Sequence, residues 1–234
     1  MRRKFFRIAA YSGRLIFLLV FFLLFACSYR EGASVTRHHD GEIAFRKVVV
    51  LPFQSMIPER GGAETIRCPL CGAVYRTETV AGDLHPEKAV ERIFLRNLEA
   101  KTKIEWLSGE KVAGIYQRMN MENPRKNLLA VVGDVGAALG ADAVIAGYVF
   151  RFRERKGYAY SAERPASVAL EIHLIRSSDA VVVWKGTYDR TQSSLLENLL
   201  QIASFYRERG RWVTALELAE EGIGEIMKSF PVPN

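Results

Sequence analysis

Between Ser167 and Arg176 every second residue is apolar: Val168, Leu170, Ile172 and Leu174. That is the period of a strand with one face on a core. Residues 180–189 make a second such run, and Ser177-Ser178-Asp179 between them carry the small polar side chains of a turn. The pair predicts a β-hairpin. His173 falls on the face away from the apolar stripe and is expected at the surface of the strand. Residues 47–53 form an unbroken β-branched run containing Pro52, the pattern of a strand covered on both faces. Shorter strands are expected over 73–79 and 103–107, and a longer one over 142–152.

The helical period appears in four places. Val90, Ile93, Phe94 and Leu98 follow Asp83 and Pro86, which mark a helix start. Val112, Ile115, Tyr116 and Met119 follow Ser108, an expected N-cap, and Asn123-Pro124 ends that helix. Leu128, Val131, Val132, Val135 and Leu139 stop at Gly140. Leu216, Ala219, Ile223 and Ile226 lie within a final helix over 212–230, and 193–205 is also helical in pattern. Gly133 and Gly136 lie inside a helix, so they predict close helix packing and not a phosphate loop. Residues 54–67 read as a loop and 153–164 as a charged hairpin tip. The order β, α, β, α, α, β, β, β, α, α predicts an α/β (α+β) domain. Its sheet is mixed, of about five strands with packed helices, parallel near its start and antiparallel at its end.

The first 26 residues follow another rule. Residues 15–26 are uniformly apolar and are preceded by Arg2, Arg3, Lys4, Arg7 and Arg14 with no acid. This is the pattern of an export signal, and it is short for a spanning helix, which needs about 20 apolar residues. Leu24-Phe25-Ala26-Cys27 resembles the lipobox of bacterial lipoproteins. The resemblance implies cleavage before Cys27, lipid on its thiol, and a mature chain anchored to a membrane. Ser28 in place of an aspartate points to the outer membrane, facing the periplasm, with the periplasmic face of the inner membrane as the alternative. Removing the signal changes the charge: the whole chain has 33 Lys+Arg against 26 Asp+Glu, but the part from Cys27 onward has 28 against 26. A body so nearly balanced gives no ground for nucleic-acid binding. Residues 28–42 are polar, without apolar period, and 27–45 reads as a lipid-anchored tether. The α/β domain then spans 46–190, and 191–234 supplies helices packed on it.

An insert over about 60–85 interrupts that domain and carries the sharpest local motif, Cys68-Pro69-Leu70-Cys71-Gly72. Two cysteines at this spacing can close a local disulfide, hold half of a zinc site, or run thiol redox chemistry. Four ligands make a structural zinc site. The nearest further candidates are Asp83 and His85, and a second chain sharing the ion is the other way to complete it. A redox pair needs its first thiol at a helix N-terminus, whereas the residues after Cys71 look extended. No nucleophile elbow, phosphate loop or paired-acid setting is present, so no enzyme and no cofactor beyond that zinc is expected.

Residues 137–149, with the glycine-ended helix, Ala141-Asp142 turn and mid-strand glycine, join with 168–186 and 48–53 in a recognisable pattern. It resembles the periplasmic α/β domain shared by the curli-secretion lipoproteins, the lipoprotein activators of penicillin-binding proteins, and the amino-terminal domain of the TolB translocation protein. The resemblance implies a non-enzymatic adaptor or assembly factor that binds another envelope protein, with oligomer formation open. The rival expectation is a zinc-binding or thiol-redox envelope protein centred on Cys68 and Cys71.

Overall fold

The computed structural model describes residues 32–37, 45–58, 64–78, 85–158, 161–192 and 212–231. Its strands are β1 Gly32–Arg37, β2 Lys47–Val50, β3 Gln54–Ser55, β4 Glu64–Arg67, β5 Val74–Thr77, β6 Glu105–Leu107, β7 Ala143–Arg153, β8 Lys156–Tyr158, β9 Ser161–Arg164, β10 Ser167–Arg176 and β11 Val182–Thr191. The helices are α1 Pro86–Lys101, α2 Glu110–Glu122, α3 Leu128–Ala138 and α4 Ala215–Ile226, the last followed by a 3₁₀ turn, Met227–Ser229. The signal-like segment, Cys27, Asp83 and the helix expected over 193–205 lie outside the described residues.

One seven-stranded sheet runs in the order β1-β11-β10-β7-β2-β6, with β3 also paired to β7. β2 pairs in parallel with β6 and β7, and the β7-β10-β11-β1 half is antiparallel. The α/β class and the parallel-to-antiparallel order match the sequence pattern, but the sheet is larger than five strands. One added strand is β1, cut from the segment read as a tether. It adds to the free edge of β11 through an antiparallel backbone ladder, so it needs no apolar period. β4 likewise forms where a loop was expected, paired with β5.

Alternation along the central strands sends side chains into two cores. On one face Val48, Val50, Ile145, Leu170, Ile172, Leu174 and Trp184 pack with Phe94 and Leu98 of α1 and Leu218 and Ile223 of α4. On the other, Val49, Val144, Phe150, Ala169 and Ile175 pack with Tyr116 of α2, Val131, Val132 and Val135 of α3, and Tyr75 of β5. The second core is what the hairpin pattern could not show: the odd-numbered face of β10 is buried too.

Local signals explain most element boundaries. Asn127 caps α3 by accepting from Leu129 N. Thr214 and Glu217 form a reciprocal capping box at the start of α4, which begins three residues later than expected. Ser108 is not a cap; Gly109 holds that place without a side-chain bond. After α3, Gly140 takes φ +62°, a conformation that favours glycine. Asp142 Oδ2 then accepts from Arg46 N at 2.9 Å and Lys47 N at 3.0 Å, fixing the start of β2 beside β7. A Cβ on Gly136 would collide with Ser177 and Val144, so the helix glycine serves close packing. At Gly147 in β7 a Cβ would lie 2.5 Å from the Phe53 ring, which packs on Phe94 with centroids 5.5 Å apart. A Gly147→Val chain should lose about 2 kcal/mol through overpacking. Urea denaturation checks it: the midpoint falls with the slope unchanged.

Candidate metal centre

The insert folds as a knuckle on the β4–β5 hairpin. Ile66 pairs with Tyr75 and Arg67 with Val74. Beyond them Cys68 N donates to Ala73 O at 2.8 Å, and Gly72 N donates to Cys68 O at 2.9 Å. Gly72 has φ +73°, which lets the chain turn back directly after Cys71. Cys68 is buried and Cys71 exposed, and both thiols are free.

Beneath the knuckle lies the odd face of β10. Glu171 and His173, two residues apart, point the same way, and both side chains are 0% exposed. The four donor groups, Cys68 Sγ, Cys71 Sγ, a Glu171 carboxylate oxygen and a His173 ring nitrogen, all lie within 4.8 Å of one another. Cys68 Sγ is 3.9 Å from His173 Nε2, Cys71 Sγ is 3.3 Å from Glu171 Oε2, and His173 Nε2 is 3.5 Å from that same oxygen. Zinc bond lengths to sulfur, nitrogen and oxygen put the edges of a tetrahedral site at roughly 3.3–3.8 Å. The three separations sit at or close to those edges.

A second layer holds the carboxylate. Tyr75 stacks on Phe150 with centroids 4.2 Å apart and donates from its hydroxyl to Glu171 Oε1 at 2.5 Å. Burial, then the charge of Glu171, pushes the Tyr75 phenol up, which keeps it a donor. Thr187 Oγ1 and Lys185 Nζ each donate to Glu171 Oε1 at 3.4 Å, and Lys185 Nζ is 3.9 Å from Cys71 Sγ. The hydrogen bond with Cys71, burial and the nearby Glu171 charge push Cys68 up; the hydrogen bond from Cys68, joined by His173 and the Ala73 backbone, pulls Cys71 down. The far end of the hairpin is tied by Arg151, whose buried guanidinium donates to Arg76 O at 2.9 Å and Ser167 Oγ at 2.6 Å and pairs with Asp189.

Two thiolates, a carboxylate and a neutral imidazole around a dication sum to one negative charge, and the Lys185 ammonium cancels it. A mixed sulfur, nitrogen and oxygen set of four suits zinc. The structure brings together Cys68 and Cys71 from the sequence-derived set but not His85. That residue sits at the N-terminus of α1, exposed and 3.2 Å from Glu87. His173, expected at the surface, is instead fully buried, because the knuckle covers its face of the sheet. Glu171 and Lys185 were missed. The available signal was Glu171-Ile172-His173, two metal-ligating residues on one face of one strand. Cys68 follows a strand and precedes a turn, so it does not stand at a helix N-terminus, the placement expected of a thioredoxin-like pair. Beside the knuckle, Pro52, Gln54, Met56, Pro69, Tyr116 and Gln117 line a groove of about 460 Å³.

No family model and no curated protein matches the chain. Among solved structures it is similar to the PelC dodecamer from Paraburkholderia phytofirmans, with 15% identity, 86% of this chain and 99% of that one covered, and a TM-score of 0.49. It is also similar to the hypothetical protein CT253 from Chlamydia trachomatis (12% identity, 79% and 96% covered, TM-score 0.42). A third is lipoprotein GNA1162 from Neisseria meningitidis (13% identity, 69% and 96% covered, TM-score 0.37). Similarities of this strength assign no activity, so the chain's role has to come from its own residues.

Proposed function

We propose that this is a non-enzymatic, lipid-anchored envelope protein whose body is locked by one zinc ion held by Cys68, Cys71, Glu171 and His173. The observation that carries the reading is the meeting of four donors, all within 4.8 Å of one another, from segments about a hundred residues apart in sequence. Four protein ligands close the coordination sphere, as in structural sites, where catalytic sites keep a position for water or substrate. The ion's work is to fasten the knuckle onto the sheet and so to set one wall of the groove beside Pro69. In an oxidising compartment it also keeps two neighbouring thiols from closing on each other. The lipid on Cys27 supplies the location, the periplasmic side of the outer membrane, and the fastened body holds a partner protein there.

Metal analysis of the purified full-length chain tests the centre. One zinc per chain is expected, and the ion should be lost from a His173→Ala chain but kept by a His85→Ala chain. A wild-type chain free of zinc after growth and purification with the metal present overturns it, as does equal zinc in the two variants. The anchor has its own readout. An inhibitor of lipoprotein signal peptidase should accumulate precursor, and Cys27→Ala should abolish acyl labelling.

A further inference from the structure

The sheet fixes where the lipid-bearing end of the chain leaves the body. β1 runs antiparallel to β11, with Gly32 opposite Asp189 and Arg37 opposite Trp184. Gly32 therefore lies at the end of the sheet where β11 finishes. Ser167, the first residue of β10, is paired with Thr191 of β11 and Arg153 of β7, so β7 also finishes at that end. The β8–β9 hairpin grows from the same place, and it carries Arg155, Lys156 and Arg164. Its Tyr158 is 82% exposed, the most exposed large apolar side chain among the described residues. Glu154, the one acid at its base, is occupied by accepting from Ala215 N and Arg155 N at 3.0 Å. The other acid, Glu163, forms an exposed pair with Lys156 at 2.9 Å, which water and salt largely screen.

Chain length then sets the geometry. Cys27 precedes Gly32 by five residues, so their Cα atoms are at most about 18 Å apart. β11 has 10 residues, roughly 33 Å of strand. A lipid attached at Cys27 can reach the membrane easily from the hairpin end, and is too close to that end for the body to stand upright on the Ser177–Ala180 turn at the other.

We propose that the protein stands on its membrane by this end of the sheet, with the β8–β9 hairpin in the headgroup layer of an anionic lipid surface. This rests on the lipid anchor at Cys27. Basic side chains flanking an exposed tyrosine are the chemistry of that layer: cations meet phosphates, and the amphipathic ring lies at the boundary between headgroups and acyl chains. The pairing of β1 with β11 makes the seat close and oriented, where a free tether over 27–45 would leave the body to swing.

The test uses the full acylated chain in vesicles rich in phosphatidylglycerol, with bromine placed near the headgroup end of the acyl chains. After subtraction of the wild-type signal, the indole introduced by Tyr158→Trp should lose roughly half or more of its emission, as expected for a side chain within the boundary region. A tryptophan introduced by Ser178→Trp, at the opposite end, should lose none. Adding Lys156→Glu and Arg164→Glu to the first chain should restore most of its emission. Equal quenching of the two introduced indoles, or none at position 158 in a chain that carries the acyl label, overturns the seat and leaves the anchor standing. A purified chain without acyl label overturns both.

Discussion

A Cys68→Ser chain should retain less than about a tenth of the wild-type zinc and melt roughly 10 °C lower. Serine fits the buried site, so packing around position 68 is nearly conserved and the loss isolates coordination. Its hydroxyl is a far poorer zinc ligand than thiolate at neutral pH. On the proposed reading, zinc binding is linked to folding, because the four donors come from a hairpin and a strand that meet only in the folded chain. With free zinc a thousandfold above the dissociation constant, the ion contributes about 4 kcal/mol. For a body of about 200 residues each kcal/mol moves the melting temperature by about 2–4 °C. A chelator should bring the wild type down to the melting temperature of the variant and leave the variant unmoved. Coincident wild-type melts with and without chelator, in a protein shown to hold zinc, would mean that the ion does not fasten the fold.

The hairpin of β10 and β11, the buried β2 and the four described helices were legible in the sequence because each owes its place to a local period of apolar residues. Val168, Leu170, Ile172 and Leu174 mark one face of β10 whatever lies elsewhere. The opposite face was illegible for the same reason. Ala169, Glu171, His173 and Ile175 look half polar, and local pattern assigns polar positions to solvent. What covers Glu171 and His173 is a hairpin contributed by residues 64–77, with α3 packed toward the Ile175 end, and contact over such a separation leaves no trace in periodicity. The seven-stranded sheet was underestimated on a related ground. β1 is held by backbone groups of β11, and residues 32–37 need no particular side chains to take that edge. The candidate metal centre was half legible. Cys68 and Cys71 stated a need for two more ligands, but proximity in sequence pointed to Asp83 and His85. The two residues the fold supplies are a glutamate and a histidine spaced for one strand face.

Replacing both sheet ligands should cost less stability than replacing one. In a His173→Leu chain the ion is lost while the Glu171 carboxylate stays buried. Tyr75, Thr187 and Lys185 hold one of its oxygens, but the second faces Cys71 with no cation between them. Breaking a buried charged set from one side costs about 3–5 kcal/mol. In a Glu171→Leu/His173→Leu chain β10 carries no charge on that face, the Lys185 ammonium keeps Cys71 and solvent at its partly exposed position, and leucine at 171 extends the apolar surface formed by Ala169, Ile175 and Phe150. Part of the loss should therefore return, giving the double variant a higher urea midpoint than the single one and a coupling of about 1–3 kcal/mol between the two sites. The double variant should also ignore chelator and show faster hydrogen exchange in 64–77, because nothing then fastens the knuckle. A double variant weaker than the sum of its single changes would mean that Glu171 earns its place by holding Tyr75 and Lys185, with the metal incidental to the stability of the sheet.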